Sequence, residues 1–249
     1  MKRESSAPYR VVPGSPPELI VYDEAQPCPY LEGRLARLPL RIPARPLTRS
    51  ELELRLTTGD RRQGVFFYHT SCPNCTACEP IRIDVQRFVP GRTHRRTLRR
   101  GDAALRVDLG PTLVDEARVN LYNRHKLLRG LGAGRAPIDL DGYREFLVLS
   151  SCDTFEIRYF LADELVAVAI VDRSERALSA VYCFYDPAFE HLGLGTYSIL
   201  KQIELCRAWR LRYLYLGLYI EGSQHMAYKA RFLPHERLLD GVWSEFTQP

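Results

Sequence analysis

Five consecutive pieces of the sequence decide the fold: FEIRYFL (155–161), LVAVAIV (165–171), ALSAVYCFY (177–185), HLGLGT (191–196) and YLYLGLYI (213–220). The first three predict β-strands, because they are short runs rich in β-branched and aromatic residues that end at turn residues. The fourth is a glycine loop at the start of an amphipathic helix. In the fifth, leucine and isoleucine alternate with tyrosine and glycine, which predicts a strand with two different faces.

The order of these pieces is that of an acetyltransferase-like acyl-transfer domain: an antiparallel meander, then a glycine loop, a helix and a crossover strand. In that arrangement the backbone N–H groups of the loop and of the first helical turn form an anion site, which here would involve Gly193 and Gly195. A tight turn is the alternative for such a loop on its own. We therefore predict an α+β fold with an acetyltransferase-like (GNAT-like) mixed sheet and flanking helices.

A change in the character of the sequence at Gly110-Pro111 divides the chain. We predict that residues 1–110 form a smaller N-terminal region with a cysteine metal site and a basic face. Residues 111–249 then form the acetyltransferase-like domain. The chain has 249 residues, of which 45% are hydrophobic, so it can bury one large core or two smaller ones.

Four of the seven cysteines fit a metal-ligand pattern. Cys72, Cys75 and Cys78 follow C-x2-C-x2-C spacing on a predicted turn, and Cys28 lies far upstream. Thiolates at this spacing can share a metal, and a fourth thiolate from a distant segment completes the tetrahedron. The sequence therefore predicts zinc or an iron–sulfur cluster at these four residues, with buried reduced thiols as the alternative. The other three cysteines stand singly and are typical of buried free thiols.

The net charge of +5 is modest, but the segment RTHRRTLRR (92–100) holds five arginines and no acid. On a helix, side chains three to four residues apart share one face, so these arginines can form a surface that binds a phosphate backbone. A solvated face is the alternative. The arginines predicted to contact nucleic acid are Arg92, Arg95, Arg96, Arg99 and Arg100.

The first residues, MKRES, are polar, and no apolar run approaches the roughly 20 residues that a membrane span needs. The sequence thus predicts neither a signal peptide nor a membrane span. We expect a cytoplasmic protein with reduced thiols, because disulfides are rare in that compartment.

Together these motifs resemble the aminoacyl-tRNA–protein transferase family, enzymes that add an amino acid to proteins beginning with Asp or Glu. The resemblance extends from Cys28 to about Trp243. In the N-terminal half it rests on CPYL (28–31), the cysteine turn with PIR (80–82), and THRR (93–96). In the C-terminal half it rests on VY (181–182), YDP (185–187), LGLGTYS (192–198), GLYIEGS (217–223) and MAYKARF (226–232).

The family contains arginyl transferases, typical of eukaryotes, and shorter bacterial members that use leucyl-tRNA. This chain resembles the bacterial branch in MAYKARF and in its cysteine turn. It departs from that branch at Leu218-Tyr219, where a Tyr-Trp pair is usual, and at His225, where Lys is usual. The expected aminoacyl pocket is apolar and aromatic, which favours leucine. An arginyl group stays open and would need a carboxylate, such as Glu190 or Glu221.

The reaction that the resemblance implies is aminolysis, in which the α-amine of the target attacks the ester of aminoacyl-tRNA. The ester is already activated, so we expect no ATP. The site must orient the reactants, remove the ammonium proton and stabilise an oxyanion. Asp186 is our candidate to hold or deprotonate the amine, with a turn-forming role as the alternative. Tyr182 and Tyr219 are candidate catalytic donors to the ester oxygens, with packing as the alternative.

The acidic first side chain of the target needs a cationic partner. Lys229 and Arg231 follow the tyrosine-lined strand and are the best placed, and Arg82 beside the cysteine turn is next. Surface solvation is the alternative for all three. The residues predicted to bind substrate are Gly193, Gly195, Tyr197, Tyr228, Lys229, Arg231 and Arg82. The predicted partners are aminoacyl-tRNA and proteins with N-terminal Asp or Glu, which the modification marks for N-degron degradation.

Two other classes of function stay open. A CoA-dependent N-acyltransferase would share the C-terminal fold but would not explain the cysteine turn or the arginine run. A metal-stabilised nucleic-acid-binding module would explain both of these features. It would leave the glycine loop and the tyrosine-lined strand without a role.

Overall fold

The structure, a computed structural model, describes residues 10–131 and 136–248 and leaves the side chain of Gln224 undescribed. The helices are α1 (Arg49–Thr57), α2 (Arg92–Ala104), α3 (Glu116–Leu128), α4 (Leu140–Tyr143), α5 (Leu194–Ala208) and α6 (Gln224–Ala227). A π-helix (Arg144–Val148) and two 3₁₀ helices (Pro187–Leu192 and Tyr228–Arg231) complete the helical segments. In the described part of the chain, no helix is long and apolar enough to cross a membrane.

The strands form one large sheet, one smaller sheet and a short hairpin. Their bounds are β1 (Arg10–Val12), β2 (Glu18–Tyr22), β3 (Ala25–Pro27), β4 (Leu35–Arg37), β5 (Leu40–Pro43), β6 (Arg61–Gln63), β7 (Phe66–Tyr68), β8 (Glu79–Asp84), β9 (Leu105–Gly110), β10 (Thr154–Leu161), β11 (Glu164–Arg173), β12 (Ala177–Tyr185), β13 (Tyr213–Tyr219), β14 (His235–Leu239) and β15 (Val242–Phe246). The eight-stranded sheet has the order β15-β14-β8-β13-β12-β11-β10-β9, and the five-stranded sheet has the order β1-β2-β5-β7-β6.

The predicted meander and crossover are confirmed. β10 and β11 form a hairpin that closes at Leu161 and Glu164, and β11 pairs antiparallel with β12. β12 and β13 pair in parallel, with the glycine loop and α5 between them in sequence. The large sheet is therefore mixed, and the α+β class is confirmed.

β12 and β13 pair only at their first residues. The register runs from Ala177 opposite Tyr213 to Ser179 opposite Tyr215. Beyond this point β12 continues to Tyr185 against β11, and β13 continues to Tyr219 against β8. The two neighbouring strands therefore separate inside the sheet and leave an opening, which we call the strand cleft.

Helices cover both faces of the large sheet. Leu194, Leu200 and Ile203 of α5 pack in one core with Leu178 and Leu214, and α2 packs against α5 on this face. On the opposite face, Val119 and Tyr122 of α3 pack against Val168 and Phe184. The amphipathic helix predicted after the glycine loop is confirmed as α5, whose Ile199, Leu200, Ile203 and Cys206 are all buried.

The five-stranded sheet and α1 pack beneath the start of β13. Leu52 and Leu56 of α1 share a core with Phe67, Ala177 and Tyr215. Thr48 and Glu51 form a capping box that fixes the start of α1, since each side chain accepts a hydrogen bond from the other's backbone N–H. This layer brings β6 against β12, close to the strand cleft.

The predicted division at residue 110 falls inside the large sheet. β8 and β9 precede that residue, yet β8 pairs with β13 and β14, and β9 forms the edge beside β10. The physical reason lies in β8, whose Ile81 and Ile83 are fully buried only when the C-terminal strands cover them. The residues that form a separate layer end at β7.

Candidate functional site

Lys229 lies at the far end of the strand cleft. The segment from α6 to Arg231 packs against β13, and the Lys229 Nζ donates a hydrogen bond of 2.6 Å to the carbonyl oxygen of Leu218. The side chain is only 7% exposed. Burial, and then the positive charge of Arg61, lower the pKa of Lys229 from 10.5 to about 7. Folding therefore brings the pKa of this lysine close to neutral pH.

Arg61 of β6 is the second cation at this place. Gly217 interrupts β13 with a φ of +89°, and a Cβ there would lie 3.0 Å from Arg61 Nη2 and 3.5 Å from Lys229 Nζ. The side chain of Arg61 is 9% exposed, and burial lowers its pKa. Glycine is required here because side chains rarely adopt this φ and because a Cβ would press on the Arg61 guanidinium. We call Arg61, Lys229 and Gly217 the paired-cation pocket.

No carboxylate among the described residues pairs with Arg61. Its electrostatic neighbours are Tyr68, Asp172, Tyr30 and Arg62. Asp172 is already bound by Arg62 at 2.6 and 2.9 Å and by the Thr154 hydroxyl at 2.6 Å. A buried guanidinium normally requires a paired anion, so the paired-cation pocket has the chemistry of an anion-binding site.

The other two predicted cations lie in different surroundings. Arg231 is exposed on the surface. Arg82 is buried, donates to Glu236 at 2.6 Å and to the Tyr215 hydroxyl at 3.0 Å, and stacks between the rings of Tyr213 and Trp243. Its guanidinium is thus bound within the protein and stabilises the packing of β13 on β8.

Asp186 lies at the end of β12, as predicted, but its carboxylate is occupied. It accepts a hydrogen bond of 2.9 Å from the Ala188 N–H at the start of the 3₁₀ helix, and it pairs with Arg124 of α3 at 3.1 Å. The side chain is buried. The structure therefore shows the turn-forming contacts of Asp186.

The four candidate tyrosines have different environments. Tyr182 packs among Tyr122 and Phe146 on the α3 face, and burial raises its pKa. Tyr219 is half-buried beneath the guanidinium of Arg237. Tyr228 is the most exposed residue of the four at 36%, yet burial, and then the charge of Cys183, raise the pKa of its hydroxyl to about 12. The remaining one, Tyr197, is buried in the core of the α5 face and donates to Asp102 of α2.

The glycine loop is flanked by two arginines. Gly193 has a φ of +69°, and a Cβ there would lie 3.5 Å from Arg100 Nη2. Gly195 approaches the ring of Tyr185, whose hydroxyl is contacted by Arg129 at the end of α3. Arg100 thus lies close to the start of α5, and Arg129 reaches it through Tyr185; the first turn of α5 has no side-chain cap, which is an arrangement suited to a phosphate. Arg129 was not among the predicted residues, because only folding brings α3 to this loop.

The arginine run forms α2, as predicted. Arg92, Arg95, Arg96, Arg99 and Arg100 are all exposed, whereas Thr97 and Gly101 are buried against α5. A surface cavity of about 530 Å³ is lined by Arg92, Arg95, Leu98, Arg99 and Asp102. The helix therefore presents a basic face beside the glycine loop.

The four predicted metal ligands lie near one another. Burial, followed by the charges of Cys72, Cys28 and Cys75, raises the pKa of Cys78 to about 12. Yet no group of three or more His, Cys, Asp or Glu residues in the described part of the chain has a geometry that could hold a metal ion. The backbone N–H of Arg37 instead donates to the Cys72 sulfur at 3.4 Å. The geometry of the described residues thus does not support zinc or an iron–sulfur cluster at these cysteines.

Comparison with known proteins gives consistent matches. The N-terminal model of arginine-tRNA-protein transferase matches residues 26–96, and its C-terminal model matches residues 117–239. The aspartate/glutamate leucyltransferase of Thiobacillus denitrificans is 40% identical, over 87% of this chain and 90% of that protein. The protein of the same name from Chromobacterium violaceum is 38% identical, over 87% and 89%.

Similarity to solved structures is weak. The structure of L-PGS from Bacillus licheniformis matches 61% of this chain and 49% of that chain, with 10% identity and a TM-score of 0.44. The sequence matches, by contrast, extend over both halves of the chain, including the cysteine turn, most of the arginine run and the glycine loop. The chain therefore belongs to the family of arginine-tRNA-protein transferases, the aminoacyl-tRNA–protein transferases that the sequence motifs had indicated.

Proposed function

We propose that this protein transfers leucine from leucyl-tRNA to the α-amine of proteins that begin with Asp or Glu, and so marks them for N-degron degradation. The observation that carries the proposal is the paired-cation pocket, which has two buried cations and no carboxylate partner among the described residues. An acidic first side chain would supply the missing anion. The names of the most similar relatives support the same donor and acceptor.

The transfer itself is one substitution at an ester. The α-amine nitrogen attacks the ester carbonyl carbon, the bond from that carbon to the tRNA ribose oxygen breaks, and the tRNA hydroxyl leaves with a proton. An α-amine has a pKa of about 8, so water in the cleft can take its proton. The paired-cation pocket would fix the acidic side chain and thereby orient the amine. Burial raises the pKa of Tyr228 to about 12, so its phenol stays protonated and could donate to the ester oxygen.

The donor tRNA would lie across α2 and the glycine loop. The exposed arginines of α2 would neutralise phosphates of the acceptor arm without reading sequence. The start of α5, between Arg100 and Arg129, would hold a phosphate near the aminoacylated end. This placement leads the ester towards the strand cleft, where the acidic target is held. A cytoplasmic location is part of the proposal, because aminoacyl-tRNA is made there.

The acids near the cleft favour leucine over arginine as the transferred group. Asp186 is paired with Arg124, and Glu190 and Glu221 are exposed. An arginyl guanidinium buried in the cleft would be costly without a carboxylate beside it. A leucyl side chain needs only apolar contacts, and its burial contributes about 1.5–3 kcal/mol.

A competition assay tests the donor and the acceptor together. Leucyl-tRNA and arginyl-tRNA, each with a distinct isotope, are offered at equal concentration to peptides that differ only in a first residue of Asp, Glu, Gln or Ala. We expect leucine on the Asp and Glu peptides alone. Preferred incorporation of arginine would overturn the leucyl assignment, and equal labelling of Glu and Gln would overturn acid recognition.

Replacement of Arg61 tests whether the paired-cation pocket recognises the acidic first residue. Arg61→Gln should lower transfer to the Glu peptide by more than about tenfold, because one charge-assisted contact is lost. Arg176→Gln removes one positive charge at an exposed position and serves as the matched control. Unchanged transfer by a folded Arg61→Gln protein would place acid recognition elsewhere.

A further inference from the structure

The paired-cation pocket is unusual within this protein, because the layer that contributes Arg61 pairs its other buried arginines. Arg41 binds Glu18 at 3.0 Å and Asp60 at 2.6 Å, and Arg62 binds both oxygens of Asp172. Arg61 and Lys229 have no carboxylate of this kind among the described residues. The pocket thus holds two basic groups, whereas a carboxylate of Asp or Glu brings only one negative charge.

Two phenols lie among the groups around Arg61 and offer O–H donors. Tyr68 and Tyr30 are its phenolic neighbours, and each carries one O–H. The described acid that acts electrostatically on Arg61 is Asp172, and both of its oxygens are already bound, by Arg62 and Thr154. Among the residues that the structure describes, the acceptors that meet Lys229 are the Leu218 carbonyl and the Met226 sulfur. This surplus of charge and donors suits an anion with more charge and more acceptor oxygens than a carboxylate.

Phosphoserine meets these requirements at the same depth as glutamate. Its phosphorus occupies the place along the side chain that the carboxyl carbon has in glutamate. The phosphate group carries a charge of about −1.5 to −2 at neutral pH and offers three acceptor oxygens. It can therefore satisfy an arginine fork and an ammonium group at once. Gly217 lets the backbone of β13 approach both cations closely, since a Cβ there would lie 3.0 Å from Arg61 Nη2 and 3.5 Å from Lys229 Nζ.

We propose that the paired-cation pocket also accepts phosphoserine, so that the enzyme modifies polypeptides whose first residue is phosphoserine. This rests on the proposed function, because the same transfer reaction is used. The α-amine nitrogen forms the new amide bond, the ester bond to the tRNA breaks, and the tRNA hydroxyl leaves with the proton. The phosphate takes no part in the chemistry and serves only to anchor the residue.

The test uses the full chain, leucyl-tRNA and five peptides that differ only in the first residue: Asp, Glu, phosphoserine, Ser and Ala. Mass spectrometry measures leucine on each. We expect the phosphoserine peptide to be labelled at a rate within about tenfold of the Glu peptide, and the Ser and Ala peptides to stay unlabelled. Labelling of Asp and Glu without labelling of phosphoserine would overturn this proposal and leave the proposed function standing.

The Lys229→Gln variant distinguishes recognition of a phosphate from recognition of a carboxylate. One remaining cation balances a carboxylate but not a phosphate, so the ratio of phosphoserine to Glu labelling should fall by about tenfold. Arg176→Gln, an exposed arginine, should leave this ratio unchanged. An unchanged ratio in a folded Lys229→Gln protein would contradict the assignment of the phosphate to this pocket.

A direct binding measurement tests the pocket even if the transfer assay labels no peptide. Fluorescence anisotropy with dye-labelled peptides, without tRNA, should show tighter binding of the phosphoserine peptide than of the Ser peptide. Equal binding of the two would overturn the proposal whatever the transfer assay gives. Absence of labelling on Asp and Glu, together with tight binding of phosphoserine, would count against the proposed function and for the anion pocket.

Discussion

The hydroxyl group of Tyr197 donates a hydrogen bond of 2.8 Å to the carboxylate of Asp102, and this contact ties α5 to the arginine helix α2. Lys201 of α5 reaches the same carboxylate at 3.3 Å. The Tyr197 ring also lies directly against Gly101, where a Cβ would be 2.3 Å from Tyr197 Cε2. Because the glycine loop begins α5 and the arginines lie on α2, this junction sets the position of the loop relative to the basic face.

Gly101→Ala should disturb that junction. The added methyl group overlaps the Tyr197 ring, so we expect a loss of about 1–3 kcal/mol in the free energy of unfolding. Affinity for tRNA should fall as well, since α2 is displaced. Urea unfolding and tRNA binding measure the two effects. Gly91→Ala is the control, because nothing lies within 4 Å of the Cβ position there. Equal stability of the two variants would contradict the close packing of α2 on α5.

The exposed arginines of α2 are expected to bind tRNA through its phosphates. Replacing Arg95, Arg96 and Arg99 with Ala should weaken binding and reduce the dependence of log affinity on log salt by about 0.7–0.9 per lost phosphate contact. Circular dichroism should show an intact fold. Arg176→Ala removes a comparable exposed arginine away from α2 and should leave the slope as it is. If the triple variant binds tRNA like the parent at several salt concentrations, the basic face is only solvated.

Lys229→Met should raise stability while it lowers transfer to acidic peptides. Folding lowers the pKa of Lys229 from 10.5 to about 7, so between these values the unfolded chain binds more protons than the folded one. The stability of the parent therefore rises with pH across this window, and the cost of the buried lysine is largest at and below pH of about 7. Thermal unfolding near neutral pH should show the Met variant to be more stable by on the order of 2 kcal/mol.

The difference between the Met variant and the parent should shrink as the pH rises towards 10.5, where the unfolded lysine also becomes neutral. A pH-independent difference would mean that Lys229 is not a destabilised cation. Lower stability of the Met variant near neutral pH would point to the hydrogen bond with Leu218 as the dominant contribution.

The cysteine turn leads to a prediction about thiol reactivity. The backbone N–H of Ala77, and then the side chain of Arg34, lower the pKa of the Cys75 thiol, whereas burial raises that of Cys78 to about 12. Since the thiolate is the reactive species, an alkylating reagent should modify Cys75 well before Cys78. Peptide mapping after short exposure measures the order. Protection of all four thiols, with about one metal per chain after anaerobic purification, would reinstate the zinc or iron–sulfur prediction.

The sequence was informative where the signal is local. The arginine run lies on a helix with its arginines exposed, as their spacing of three to four residues indicated, and the hairpin of β10 and β11 follows from two apolar strands around a short turn. Arg61 had no such signal. It stands next to Arg62 in the same short strand, and only folding distinguishes them. Arg62 meets Asp172, and Arg61 meets Gly217.

Long-range pairing explains the other differences between sequence and structure. The boundary at residue 110 was placed at a Gly-Pro step, but β8 and β9 before it are strands of the large sheet. The sequence placed Asp186 at the end of a strand. Its ion pair with Arg124 depends on how α3 packs against β12. Such contacts join segments far apart in sequence, so no periodicity in either segment encodes them.

The central position of β8 also bears on how the chain is made. Residues 79–84 leave the ribosome early, whereas both of their neighbours in the sheet, residues 213–219 and 235–239, are synthesised late. Until then the strand that carries Ile81 and Ile83 has two unpaired edges, which is the kind of surface that drives aggregation of nascent chains. Premature termination before residue 213 would thus release a fragment with a permanently open strand, and synthesis of the intact chain should depend on protection of this strand until translation is nearly complete.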